Sequence, residues 1–289
     1  MGFKVIIVGG SVSGLSLANM LERLNINYTL LEAYPDIAPQ VGASIGLLPN
    51  GFRILDQLGC FEPILEMVGE YHLKNSLCGP DGKPLGPPSI VNIQHLEARL
   101  GYASIFIDRQ MLLQVLYDNL KNKDKVIPEK RVAKVELLKE GSGKRCGALV
   151  MKNDQATFLL TSTLIDPISG QGGNGALEAA ALLTNALTDM LEKNPKVQPT
   201  ESVEAALAQV HINRHERAKT LVANAHALQQ VLTGRSPYSK IVTKYLAPLL
   251  GDEGFLGRAI PSCKASHRVY RLPLPQRRRL VPFDDELPA

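Results

Sequence analysis

Residues 4–32, KVIIVGGSVSGLSLANMLERLNINYTLLE, constrain the fold more than any other stretch. Lys4–Val8 is a short β-branched apolar run, the pattern of a strand covered on both faces. Gly9, Gly10 and Gly14 follow at once. Ser13 to Asn25 then carries Leu15, Leu17, Ala18, Leu21 and Leu24 at helical spacing. Tyr28–Leu31 is the next apolar strand, and Glu32 closes it. This order predicts a βαβ unit with its helix N-terminus aimed at a pyrophosphate, because first-turn amides lack acceptors and the helix dipole favours negative charge there. The tight turn falls at Gly9, and Gly14 lets helix and strand approach closely. Glu32 stands 18 residues after Gly14, where a carboxylate accepts hydrogen bonds from an adenosine ribose. Ser11 replaces the middle glycine of G-x-G-x-x-G. A phosphate-free βαβ unit, its glycines serving packing alone, is the competing reading. An NAD-binding reductase is another, since Glu32 equally suits an NAD ribose.

The rest of the composition narrows the function classes. The 289 residues, 45% hydrophobic and 21% charged, are enough for one large globular domain or two. Net charge is +4, carried partly by Arg277–Arg278–Arg279 and by scattered helix-face lysines. The absence of Trp and an aromatic share of 5% disfavour a base-stacking platform, so this charge reads as solvated surface rather than as a nucleic-acid site. Cys60, Cys78, Cys146 and Cys263 are far apart and form no C-x-x-C pair, which argues against zinc and for reduced thiols in a cytosolic setting. The N-terminal apolar stretch is broken by glycines, bounded by Glu22 and Arg23, and too short for an anchor.

Along the chain, Pro35 and Pro39 make an irregular loop, and Phe52 to Leu58 is a short amphipathic helix capped by Gly59. Ser104–Ile107 reads as a strand, Asp108 as an N-cap, and Gln110–Leu120 as a helix. Arg109 sits in that helix's first turn, against the preference of the dipole, and is a candidate for holding an anionic or polar cofactor edge. Lys130–Leu138 and Gly147–Lys152 read as strands around a Gly141–Ser142–Gly143 turn. Leu159–Ile165 runs straight into a second glycine turn, Gly170 to Gly173, feeding a helix from near Asn174 to about Leu191. Gly173 marks where a ligand could touch the main chain. A long helix covers about Ser202 to Val231, and another Lys240–Leu249. His211 and His215 share a face of the long helix, but without H-E-x-x-H they read as surface or packing residues, and no metal is expected. The Pro-rich tail, LPLPQRRRLVPFDDELPA, should lie extended along the surface.

GGSVSGLSLA, Glu32, GASIGLLPNG, DRQMLLQVLY and GQGGNGALEAAALL occur in this order, and together they resemble the flavin-dependent monooxygenases of the aromatic-hydroxylase group. The resemblance is closest to fungal epoxidases of indole-diterpene and meroterpenoid pathways, which share VGGS at the first turn and the C-terminal tail. It covers most of residues 3–150 and 166–289. It implies an α/β, Rossmann-like FAD-binding domain (GR2-type) and extended FAD. By motif match Gly9 and Gly14 shape the first turn, Glu32 holds the adenosine ribose, and Gly46 lies in a loop approaching the cofactor. Arg109 reaches the FAD chain, and Gly173 donates backbone contacts near the isoalloxazine ring. The implied reaction uses NAD(P)H to reduce the flavin and transfers one oxygen atom of O2 to a prenyl double bond of a small hydrophobic substrate. A cytoplasmic location follows, with the cytosolic face of the endoplasmic reticulum as the alternative, although no stretch supports membrane association.

One departure shapes the domain expectation. The family carries a β-sheet substrate domain and a Gly-Asp motif before the second glycine turn. Here the chain passes from Leu159–Ile165 directly to Asp166–Pro167. Asp166 directly precedes the proline, four residues before Gly170, and does not match that motif's Asp. The catalytic Arg and Tyr of the epoxidases fall in the absent segment, so no residue here inherits their roles. The expected organisation is a shortened FAD-binding domain over 1–173, a helical segment over 174–260 and the Pro-rich tail over 261–289. A catalytically weak or inactive FAD-binding remnant is the alternative to a competent enzyme.

Overall fold

The computed structural model describes residues 3–42, 44–69, 78, 81–84, 91–133, 169–196, 198–233, 235–242, 245, 256–257 and 259–287. The βαβ unit forms as its sequence dictates. Strand β1 (Lys4–Val8) leads through the glycine turn into α1 (Val12–Arg23), which returns the chain to β2 (Asn27–Leu31). The strands pair in parallel, from Lys4↔Asn27 to Val8↔Leu31. A two-residue strand, β5 (Val126–Ile127), pairs with the other edge of β2, giving the order β1-β2-β5. The helix between β1 and β2 is the crossover that parallel pairing requires.

A second, two-stranded sheet joins β3 (Ser44–Leu47) to β4 (Ile105–Asp108) in antiparallel register, Ser44↔Asp108 to Leu47↔Ile105. Helices α2 (Pro49–Gln57), α3 (Phe61–Val68), α4 (Val91–Leu100) and α5 (Arg109–Asp118) belong to this part of the chain. The two long helices are α6 (Gln171–Lys193) and α7 (Thr200–Leu232). Helix α6 is central and packs against α1, α2, α7 and β3. A helix covered on several sides must be apolar or small around most of its circumference. Accordingly Leu177, Ala179, Ala180 and Ala181 are fully buried, as are Leu15, Ala18, Met20 and Leu21 of α1.

Four expectations need correction. Helix α2 begins at Pro49, not Phe52, because proline is pre-set for the first helical position. Helix α6 begins at Gln171, so Gly172 and Gly173 lie in its first turn and only Gly170, at φ +62°, remains as the bend. Residues 130–133 of the expected Lys130–Leu138 strand are irregular. The third parallel strand comes from β5, after which Glu129 turns at φ +56° and the chain leaves the sheet. The rest of that stretch, with Gly147–Lys152, Leu159–Ile165 and Asp166, lies outside the described residues.

The tail is the fourth correction: it runs irregularly along the surface as expected, but it is pinned to the core at Leu272 and Phe283 and by ion pairs. Cys263, Val269 and Phe283 are buried. Gln57 Nε2 donates to the carbonyls of Val269 and Leu272 at 2.9 and 3.0 Å. Arg53, wholly enclosed, pairs with Asp285 at 2.7 Å and Glu286 at 3.0 Å. Arg277 pairs with Asp56 at 2.6 Å and Glu62 at 2.9 Å, and Arg279 with Glu286 at 2.8 Å. Two of the three tail arginines are therefore fasteners. Only Arg278 stands exposed, as surface charge should.

Candidate functional site

The first turn is open above and tight below. Gly9, at φ +102°, has no atom within 4 Å of the position a Cβ would take. Its own amide is bonded to Leu31 O at 2.8 Å, which ties the turn to β2. Gly14 is the opposite case: a Cβ there would run into the carbonyl oxygen of Gly9. Ser11 is the N-cap of α1, but its side chain caps nothing. The hydroxyl instead accepts a hydrogen bond from Arg109 Nη2 at 2.8 Å. The first-turn amides of α1 thus lack a side-chain acceptor, and a cation stands beside them.

Glu32 folds back onto this turn. Its Oε2 accepts the Gly10 amide at 2.5 Å and its Oε1 the Tyr34 amide at 2.9 Å. The residue is 9% exposed, so one edge of the carboxylate remains in reach. Each oxygen has a second lone pair for a hydroxyl donor. A Cβ at position 10 would stand 3.1 Å from Oε2, so the approach depends on glycine.

Arg109 is the first residue of α5, as the sequence places it. Asp108 precedes it in extended conformation but makes no side-chain cap, contrary to expectation. The guanidinium lies between Ser11 and the bend at Gly42, where a Cβ would stand 3.4 Å from Nη1. Beyond it the loop after Glu32 borders a cleft of about 550 Å3, lined by Pro35, Ile37, Gln40, Gln110, Tyr117 and Pro128 among others.

The second glycine turn meets β3. Gly46 lies in that strand rather than in a loop, and a Cβ on it would approach the Phe106 ring at 3.0 Å and Gly170 Cα at 3.2 Å. Asn174 brackets the junction. Its Nδ2 donates to Gly46 O at 2.9 Å and Gly170 O at 2.7 Å, while its Oδ1 accepts the Leu48 amide at 3.1 Å. The N-terminus of α6 carries no side-chain cap. Gly172 faces open space, whereas Gly173 packs its α-carbon against the Ile45 side chain. Of the sequence candidates, Gly9, Gly14, Glu32 and Arg109 converge on the first turn, and Gly46 and Gly173 on the second.

Sequence reasoning missed the polar stripe that holds α6. Gln171, Asn174 and Glu178 share one face at helical spacing, a signal readable in the sequence as an acid within an otherwise apolar helix. Glu178 is fully enclosed and bonded to Arg217 at 2.5 and 2.7 Å, with Arg214 at 3.6 Å. Burial acts to raise its pKa, but Arg217, Arg214 and Asn50 hold it below the usual carboxylate range. Asn50 Nδ2 donates to Glu178 at 2.7 Å and to Gln171 at 3.1 Å. Burial pushes the neighbouring Cys263 thiol up to about 12 and the His267 imidazole down. His211 and His215 are exposed, with ring centres 5.6 Å apart. Among the described residues no three metal-ligating side chains cluster.

Comparison with known proteins addresses the first half of the chain. Residues 2–137 match the FAD binding domain family. FAD-dependent monooxygenase olcE of Penicillium canescens is 44% identical over 140 residues. The N-terminal half is thus similar in sequence to an FAD-binding domain and to part of fungal FAD-dependent monooxygenases. That olcE match covers 48% of this chain and 29% of the relative. FAD-dependent monooxygenase paxM of Penicillium paxilli is 41% identical over 141 residues, 48% of this chain and 28% of its own length. The matched part thus spans less than a third of these curated relatives. Two solved structures share the fold of this monooxygenase homologue. Klebsiella pneumoniae HpxO, complexed with FAD and uric acid, aligns at TM-score 0.63 and 15% identity, covering 91% of this chain and 97% of that one. P. aeruginosa PqsL, in complex with 2-aminobenzoylacetate, aligns at 0.54 and 14%, covering 79% and 96%. No helix among the described residues is long and apolar enough to cross a membrane.

Proposed function

We propose that this chain binds FAD along the crevice between the two glycine turns and serves an FAD-dependent monooxygenase reaction. The observation that carries the reading is the closure of the Glu32 carboxylate onto the Gly10 amide, below an uncapped α1 and beside Arg109. In this reading Gly9 and Gly14 shape the pyrophosphate turn, and the α1 amides bind the phosphates. Glu32 grips the adenosine ribose, and Arg109 neutralises charge along the chain of the cofactor. Gly46 lets β3 pass close to the cofactor, and the Gly172 and Gly173 amides face its ring end. Such a bound FAD would supply electron transfer from NAD(P)H and the activation of O2. The protein's share is to orient the cofactor and keep water from its ring.

The substrate class we propose is a small hydrophobic prenylated or terpenoid molecule, epoxidised at a double bond. The support is the resemblance of GGSVSGLSLA, DRQMLLQVLY and GQGGNGALEAAALL to the motifs of fungal meroterpenoid and indole-diterpene epoxidases. The proposed organisation is a GR2-type FAD-binding domain over 1–173 with a shortened substrate part, then helices and the tail. One observation favours a second reading, an FAD-binding remnant with weak or no turnover: Phe106, beside Gly46 and Gly170, is 55% exposed. A dry ring site would cover such a side chain.

The test is purification followed by a visible spectrum and melting with and without FAD. Binding at a hundredfold excess over Kd stabilises by about 2.7 kcal/mol, so a clear rise in Tm is expected. A colourless protein with no such rise removes the reading. NADPH consumption with prenylated substrates then separates enzyme from remnant, and competition with NAD excludes or supports a simple reductase.

A further inference from the structure

Helix α6 begins with a side chain whose amide donors find no acceptor among the described residues. Gln171, its first residue, is only 7% exposed. Its Oε1 accepts from Asn50 Nδ2 at 3.1 Å. Its Nε2, with two N–H groups, has no acceptor among the described residues, yet it is not among the fully enclosed unpartnered atoms. The amide nitrogen therefore keeps some access beside the first turn of α6.

The orientation of this amide is dictated. Oxygen and nitrogen of an Asn or Gln amide are nearly indistinguishable in shape, and only the partners decide between them. Glu178 sits between Arg217 and Arg214 and is ionised, so it can only accept. The Asn50 atom 2.7 Å from Glu178 Oε1 is consequently the nitrogen, and Asn50 Oδ1 turns to the Cys263 thiol at 3.6 Å. The same nitrogen reaches Gln171, so Gln171 must offer it oxygen. Its nitrogen is left pointing away from Asn50. A charge two side chains distant thus fixes what Gln171 presents.

We propose that this relay makes Gln171 a hydrogen-bond donor to a carbonyl oxygen of the flavin ring, with Asn50 and Glu178 as positioning residues. The proposal rests on the FAD-binding reading above. It joins Gln171 to the ring end of the cofactor, whereas Glu32 and the first turn serve the ADP end. Negative charge grows on a flavin as it is reduced, so a fixed donor at a ring carbonyl favours the reduced form.

Gln171→Met keeps the length of the side chain and removes the donors. Dissociation constants for FAD and for ADP, the flavin reduction potential and Tm are measured for wild type and variant. One hydrogen bond of ordinary strength is worth about a factor of ten in affinity. FAD should therefore bind about tenfold more weakly to the variant, at a more negative potential, with ADP affinity unchanged. Asn50→Ser tests the relay: it should reproduce the loss of FAD affinity with ADP binding intact. In the wild type, the side-chain 15N–1H resonances of Gln171 should shift when FAD is added but not ADP. Equal FAD affinity and potential in wild type and Gln171→Met, with ADP binding normal, overturns the donor while the FAD reading stands. A normal FAD affinity and potential in Asn50→Ser overturns the relay. Wild-type protein that binds neither ADP nor FAD overturns the underlying reading and this proposal with it.

Discussion

Replacing Phe283 by alanine tests whether the tail is core or surface. The ring is fully buried, with the Arg53 guanidinium 4.1 Å above its centre and Tyr102 edge-on at 6.4 Å. Arg53 Nε and Nη1 have no hydrogen-bond partner among the described residues, so the ring face is their main compensation. Phe→Ala in such a site costs about 3–5 kcal/mol. A chain of 289 residues unfolds with an entropy of roughly 0.6 kcal/mol/K, so Tm should fall by about 5–8 °C. Leu280→Ala, three residues away and 74% exposed, is the control and should stay within about 0.5 kcal/mol. Circular-dichroism melts and urea titrations read both variants, with an unchanged urea slope showing that the unfolded state is unaffected. If Phe283→Ala melts with Leu280→Ala, the tail is not packed as described and the argument from Arg53 fails.

Glu32→Gln should weaken FAD and ADP alike, by about tenfold or more, because the amide can accept from only one of the two backbone donors while its NH2 faces the other; calorimetric titration checks this, and loss of FAD affinity alone would move Glu32 away from the ribose. Acidification should destabilise the fold in two steps. His267 has its pKa lowered by burial from an ordinary 6.5, so below that pH the unfolded chain takes up the proton first and stability falls. Glu178, held below 4.5, contributes stability that is present above that value and lost as pH drops through its folded pKa. Urea titrations from pH 8 to 4 check the sign, and His267→Gln should flatten the slope just below pH 6.5. If the chain turns over at all, the half-exposed Phe106 beside the ring end leads us to expect hydrogen peroxide as the main product of NAD(P)H oxidation. Oxygen recovered on adding catalase measures this, and tight coupling to an oxygenated product would refute it.

What the sequence disclosed was whatever depends on short-range pattern. The βαβ unit was legible because period, glycine spacing and terminal acid all agree over residues 4–32. The place of Arg109 in the first turn of α5 was legible from the helical pattern; its bond to Ser11 spans 98 positions and could not be read from spacing. The polar stripe on α6 was visible as a pattern, but its partners Asn50, Arg214 and Arg217 come from two other helices. The surface course of the tail was legible from its prolines and arginines, but its anchors were not, because nothing local reveals that Asp56 and Glu62 await Arg277. The start of α2 was misplaced by treating Pro49–Asn50–Gly51 as a turn. Gly51 is required there for another reason, since a side chain on it would strike Asn174.

Helix α2 explains why tail and crevice are one problem. All nine of its residues are buried, including four polar ones. Asn50 looks toward α6, where it bonds Gln171 and Glu178. Arg53, Asp56 and Gln57 are held by the tail. A buried charge that loses its partner costs several kcal/mol, far more than an exposed pair contributes. Without the tail, Arg53 would lack its carboxylates and Asp56 its arginine, and a helix this short could not stay in place on propensity alone. Its displacement would move Asn50, and with it the amide at the head of α6. The distant C-terminal segment therefore bears on the geometry of the crevice through the charges it neutralises.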